Sequence, residues 1–216
     1  AAALFSAAAR AEDCPGNPDA MGVSRTVVID PKETPTLGGH QYHTPLAMLQ
    51  PKGFILTLDD GPARHQTQEV LDFLKKECAK ATFFLIGGFV RQRPALVRSI
   101  AAAGHLIGNH TMTHPWLSWQ SPARIREELA GCNAVLEDTL GAPVRFFRPP
   151  HGARRPIVLR TARELGLTAV QWNITAFDWN PIPAEKILAN VTQGIAHNRK
   201  RGRASNVLMH DGGHLG

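Results

Sequence analysis

Two adjacent carboxylates, Asp59 and Asp60, stand in the run Thr57-Leu58-Asp59-Asp60-Gly61-Pro62, directly after the apolar stretch Phe54-Ile55-Leu56. An apolar run closed by a Gly-Pro turn reads as a buried strand reaching its C-terminal end. In α/β folds that end faces the crevice where ligands bind. Two carboxylates at such a place can divide the labour, Asp60 binding a metal and Asp59 acting as the base beside it.

Other groups that could join them follow later predicted strands. His110-Thr111-Met112-Thr113-His114 comes after a strand and turn at 106–109. Two histidines four residues apart can offer ring nitrogens to one ion, and with a carboxylate they make a three-ligand set that leaves a position open for water or substrate. The chain has ten histidines, so the spacing also fits a surface pair at a helix start, and His210 and His214 repeat it. Placement after a strand, with Pro115 following, favours the ligand reading.

Phe146-Phe147-Arg148-Pro149-Pro150-His151-Gly152 follows another strand. Its rigid Pro-Pro turn could aim the His151 amide at an oxyanion, and Arg148 could pair with a carboxylate or simply brace the turn. Asp178-Trp179 offers a carboxylate beside an aromatic wall, or a capped loop. His210 ends Val207-Leu208-Met209; an imidazole titrates near neutral pH and suits a general acid if a carboxylate raises its pKa.

The elements that must position these residues alternate short apolar runs with helix-length segments from Pro51 onward, which is the βα signature. Strands are predicted at 54–58, 81–86, 106–107, 145–147, 168–172 and 206–209, and helices at 65–78, 94–103, 121–140, 156–165 and 184–198. Ser121-Pro122 supplies a cap and a first-turn proline for the third helix. Gly104, Gly141 and Gly166 stand where helices should stop. This many strands suits a distorted or incomplete (β/α) barrel, with an open doubly wound sheet as the alternative.

Before Pro51 the chain is organised differently. Residues 1–11 are rich in Ala and end Ala9-Arg10-Ala11, which reads as the remnant of a secretory signal peptide with its cleavage site, or else as an Ala-rich helix. Residues 12–51 read as a loop-rich arm with one short strand at 26–29, and 52–216 as the main domain.

The 216 residues, 43% of them apolar, can bury one full core, and the net charge of +6 favours anionic polymers. The basic cluster Arg199-Lys200-Arg201 with Arg203 has no aromatic platform or nucleic-acid motif beside it, so a solvated helix end is expected and no nucleic-acid partner. Cys14, Cys78 and Cys132 lie far apart, excluding a zinc knuckle and allowing at most one disulfide. No apolar run is long enough to span a membrane. The sequons at Asn109 and Asn173 fall inside the candidate site, where a glycan would block it; a third begins at Asn190.

Taken in order, TLDDGP, HTMTH, RPPHG, FDWN and LMH resemble the motifs of the polysaccharide deacetylase family, the carbohydrate esterases with NodB homology, over about residues 52–212. The resemblance implies a distorted (β/α) barrel and one divalent metal, commonly zinc with cobalt or nickel as alternatives, bound by Asp60, His110 and His114. It implies Asp59 as general base toward the attacking water, the backbone N–H of His151 as an oxyanion donor, and His210 as general acid toward the leaving amine. Arg148 would orient Asp59, Asp178 would tune His210, and Trp179 with Pro149 and Pro150 would wall the groove.

The implied substrate is an acetylated polysaccharide or oligosaccharide, such as peptidoglycan or a chitin-like N-acetylglucosamine oligomer, met outside the cell or in the periplasm. Acetylated xylan, another C–N bond, or glycan binding without turnover are the alternatives.

Three departures from the family pattern stand out. His151 replaces a frequent Tyr, and Thr175 replaces an acid. The chain also ends soon after His210, where the family continues with a helix and often a strand. Either the domain is cut short at its C-terminus or the arm before Pro51 covers the exposed barrel edge.

Overall fold

The structure, a computed structural model, describes residues 14–24, 26–38 and 53–212, so the signal-peptide reading of 1–11 and the second histidine of the His210/His214 pair lie outside the described residues. Eight strands form one sheet: β1 (Thr36–Leu37), β2 (Phe54–Gly61), β3 (Thr82–Leu85), β4 (Leu106–Asn109), β5 (Phe146–Phe147), β6 (Thr168–Val170), β7 (Ile174–Thr175) and β8 (Ser205–His210). Their order is β1-β6-β5-β4-β3-β2-β8-β7 and every pairing is parallel. With β1 and β7 left at the edges, the sheet curls into the expected incomplete (β/α) barrel.

Helices α1 (Gln66–Lys76), α2 (Gly87–Gln92), α3 (Pro94–Ala102), α4 (Pro122–Leu140), α5 (Pro156–Glu164) and α6 (Ala184–Lys200) make the crossovers. On α4, Ile125, Leu129, Cys132 and Leu136 recur at helical spacing and are fully buried. Phe83 and Leu85 of β3 pack with Leu71 and Leu74 of α1, Ile100 of α3 and Cys132 of α4. Phe84, pointing the other way along the strand, joins Leu37, Val170 and Ile29 on the inner face. A strand buried on both faces reads as a continuous apolar run, as β3 does.

Helix ends follow the local chemistry. Ser121 caps α4, its side chain accepting from the Arg124 N–H at 3.2 Å, and the helix stops at Gly141 in the left-handed conformation. Of the basic cluster, Arg199 and Lys200 end α6 and Arg201 and Arg203 follow it, all exposed.

Three features differ from the sequence expectation. Residues 26–29 are not a strand. Ile29 packs on the inner core, but Thr26 and Val28 are exposed and the segment pairs with no strand among the described residues, and propensity alone does not make a ladder. The arm instead contributes β1, pairing Thr36 with Ala169 and Leu37 with Val170 along the β6 edge. The short α2 and the two-residue β7 carry too few residues for a periodic signal. Cys14 and Cys78 form the one disulfide, and Cys132 is buried and free.

Candidate active site

Four parallel strands deliver the site to one rim. Asp59 and Asp60 lie at the end of β2, His110 directly follows β4, Arg148 directly follows β5, and His210 ends β8 beside Asp59 in register. The register between β2 and β3 shifts between Asp59 and Gly61, so a bulge turns the Asp60 backbone to φ 70°. Thr111, His114, His151 and Phe177 are also left-handed, with φ between 56° and 68°. Such backbones are unfavourable for non-glycine residues and gather where the surroundings over-determine them, which here is one rim.

Asp60 Oδ1 lies 3.2 Å from His110 Nε2 and 3.1 Å from His114 Nε2, and the three side chains can converge on one ion. Burial would raise the Asp60 pKa; when the two imidazoles turn a proton toward it they outweigh burial and hold the carboxyl well below its usual range. His110 Nδ1 sits 2.7 Å from the Arg148 carbonyl; donating there leaves Nε2 as the lone-pair nitrogen facing Asp60. Asp60 Oδ1 is buried without a hydrogen-bond partner. A buried orphan oxygen facing two imidazole nitrogens is a donor set that fits a divalent cation.

Asp59 is held differently. Arg148, fully buried, donates from Nη1 to Asp59 Oδ1 at 2.8 Å and to the Thr57 hydroxyl at 2.6 Å, and from Nε to the Val170 carbonyl at 3.3 Å. Its guanidinium lies over Phe84 at 4.3 Å. Asp59 Oδ2 faces His110 Nε2 at 3.7 Å, so this carboxylate adjoins the ligand set while its other oxygen is tied to a cation.

Across the groove, Asp178 grips His210 twice, accepting the backbone N–H at 2.7 Å and meeting Nδ1 at 2.9 Å. Burial favours the neutral ring, but the Asp178 hydrogen bond and the charges of Asp59, Asp178 and Asp60 outweigh it and raise the His210 pKa. Trp179 stands edge-on to His210 with centroids 5.1 Å apart. Pro149 and Pro150 are buried, so they do not wall the groove as expected; His151, which follows them, is exposed. The structure thus brings Asp59, Asp60, His110, His114 and Arg148 into one cluster and sets Asp178, His210 and Trp179 beside it.

Several residues of the site escaped the sequence reading. Glu128, buried on α4, accepts the Met112 and Thr113 N–H groups, each at 2.8 Å, and the Thr113 hydroxyl at 2.7 Å, fixing the HTMTH loop. Its signal was present: a carboxylate within the apolar stripe of a helix. Asn109 uses its side chain to hold the Thr111 N–H and to reach the Leu129 carbonyl, each at 2.8 Å. Asp211 is buried under Gly61, where a Cβ would meet its Oδ2 at 2.5 Å, which explains the glycine of TLDDGP. Burial pushes the Asp211 carboxyl up to about 7; the Thr67 hydrogen bond opposes this, and the charges of Asp59 and Asp60 add to it. Thr175, already singled out in the sequence, accepts from the Trp172 indole at 3.0 Å.

Known proteins match this arrangement. The family model described as polysaccharide deacetylase matches residues 48–170. A chitooligosaccharide deacetylase from Bradyrhizobium is 39% identical over 158 residues, covering 73% of this chain and 69% of the relative. A peptidoglycan-N-acetylglucosamine deacetylase from Bacillus cereus is 37% identical over 162 residues, 74% of this chain but only 57% of that longer protein. The crystal structure of a peptidoglycan N-acetylglucosamine deacetylase, Bc1960, superposes with a TM-score of 0.71 at 31% identity, covering 85% of this chain and 81% of the other. The family match ends before Asp178 and His210, whose pairing rests on geometry alone, but it takes in both carboxylates, both histidines and the RPPHG turn, and the chain belongs to the polysaccharide deacetylase family.

Proposed function

We propose that the protein is a metal-dependent hydrolase that removes N-acetyl groups from polysaccharide containing N-acetylglucosamine, with peptidoglycan and chitin-like oligomers as the substrate class. The observation that carries this reading is the asymmetry of the two carboxylates. Asp60 offers a buried, unpartnered oxygen to two imidazole nitrogens, while Asp59 is locked to Arg148.

Asp60, His110 and His114 would hold the cation, zinc by preference for one carboxylate and two imidazoles. When bound, such an ion polarises an acyl oxygen and makes water acidic enough to react at neutral pH. Asp59 then takes the proton of the attacking water, and Arg148 holds its carboxylate aimed. The His151 backbone N–H would donate to the oxygen that becomes negative as the acetyl carbon turns tetrahedral. His210 gives its proton to the amide nitrogen as the C–N bond breaks. The water oxygen leaves in acetate and the sugar keeps a free amine.

Export to the periplasm or beyond belongs to the same reading. It is supported by the Cys14–Cys78 disulfide, since structural disulfides persist in oxidising compartments, and by the Ala-rich stretch ending Ala9-Arg10-Ala11.

Acetate release from N-acetylglucosamine oligomers, measured together with bound metal, tests the proposal. Asp60→Ala should lose the metal. Asp59→Asn should keep it and lose at least about a hundredfold in rate, the usual scale of general-base catalysis. An Asp59→Asn protein with full activity would overturn the assignment of the base.

A further inference from the structure

A row of aromatic rings runs outward from the metal set. The His151 ring meets His114 edge-on with centroids 4.7 Å apart, Trp116 stacks on His151 at 3.7 Å and 7°, and Trp119 stacks on Trp116 at 5.1 Å and 19°. Trp119 is 76% exposed and Trp116 49% exposed, although both sit on a short 3-10 turn anchored by the fully buried Leu117. Two indoles held rigidly in solvent are a surface that rims a binding groove rather than a fold requirement. The negative faces of aromatic rings attract the C–H face of a pyranose, and ring packing of this kind costs little conformational entropy.

A polar cleft of about 460 Å³ adjoins this row, lined by Ser118, His151, Gly152, Arg154, Arg155 and Trp172. Ser118 lies between the two tryptophans in sequence, so cleft and aromatic row are continuous. Arg155 donates from Nη1 to the Ser118 carbonyl at 2.6 Å, which ties its guanidinium to that wall. Arg154 is exposed and makes no ion pair among the described residues. Guanidinium groups recognise carboxylates through paired, charge-assisted N–H donors, whereas a neutral glycan would offer these two arginines only uncharged oxygen acceptors.

We propose that this flank is a second sugar subsite, selective for a carboxylate-bearing sugar next to the acetylated one. The outer face of Trp119, backed by Trp116 and His151, takes the ring, and Arg154 with Arg155 takes the carboxylate. Resting on the deacetylase reading above, this makes the preferred polymer an acidic N-acetylated glycan, such as a peptidoglycan strand whose lactyl carboxylates are free of stem peptide, over neutral chitin.

Calorimetric titration of the metal-loaded Asp59→Asn protein with two tetrasaccharides tests the subsite without turnover, one peptidoglycan-derived and carboxylated, the other chitin-derived and neutral. At low salt the carboxylated oligomer should bind about fivefold tighter, the scale of a partly exposed charge pair. Adding Arg154→Gln should remove most of that gap, and Trp119→Ala should weaken both oligomers alike. Equal binding of the two, or a gap untouched by Arg154→Gln, would overturn the proposal. Acetate release by the native enzyme separates the two readings. An Arg154-dependent gap without acetate from either oligomer sinks the deacetylase reading and keeps the subsite, whereas acetate from both with equal binding does the reverse.

Discussion

Asp178 holds His210 at two points, and the two contacts do different things. The backbone contact fixes where the ring sits; the Nδ1 contact, with the nearby negative charges, sets when the ring loses its proton. A histidine whose pKa is raised keeps its proton to higher pH than a free imidazole, which suits an acid toward a leaving amine. The sign of the linkage follows. Stability from this pair is fully present below the ordinary imidazole value near 6.5 and is lost as pH rises through the raised value. Asp178→Asn keeps an acceptor for the backbone N–H but removes the charge, so the alkaline limb of kcat/KM should move to lower pH while the metal remains bound. A pH profile that does not move would exclude His210 as the acid. This pair was half legible in the sequence: FDWN and LMH each presented their residue, but nothing local told that Asp178 would reach His210 across 32 positions.

At the scale of elements, the site is a set of strand ends whose loops are held by groups far away in sequence. The strand ends could be read, because β2, β4, β5 and β8 each close an apolar run with a polar residue. The braces were only half legible. Glu128 sits on α4, and only the fold brings its carboxylate under Met112 and Thr113. Arg148 was legible as a partner for a carboxylate and, by resemblance, for Asp59, as found; its second reach to Thr57 across the barrel interior was not. Glu128→Ala would leave two backbone N–H groups of the HTMTH loop without their acceptor and free His114 from its left-handed turn. Supports of this kind are worth roughly 10- to 100-fold in metal affinity. Competition with a coloured chelator should show that loss, with helix content by circular dichroism unchanged; an unaltered metal affinity would mean that Asn109 alone suffices to hold the loop.

For the whole molecule, the arm is a structural part of the barrel. Its strand β1 covers the β6 edge, which would otherwise present unpaired backbone groups. It also finishes α1: the Asn17 side chain and the Gly22 N–H donate to the Lys76 and Glu77 carbonyls, each at 3.0 Å, at a helix end that leaves such acceptors open. The sequence reading found the arm's composition but mistook which residues pair, because β-propensity marked 26–29 while the available edge selected Thr36–Leu37. The Cys14–Cys78 bond closes a span of 64 residues, for which chain entropy gives about 4 kcal/mol of stabilisation and a fall in Tm of roughly 10 °C on its removal. The variant Cys14→Ser/Cys78→Ser isolates that effect. It avoids leaving a new partner for Cys132, whose thiol burial pushes up to about 12 and keeps inert. Because the rim residues gather on β2, β4, β5 and β8, whose paired register does not involve the arm, the folded variant should bind metal as the native protein does. A melting temperature unmoved by the double substitution would show that the arm's other contacts already hold it. A loss of metal at 25 °C would show instead that the inner core, where Leu37 and Ile29 meet Phe84 beneath Arg148, transmits the arm's docking to the site.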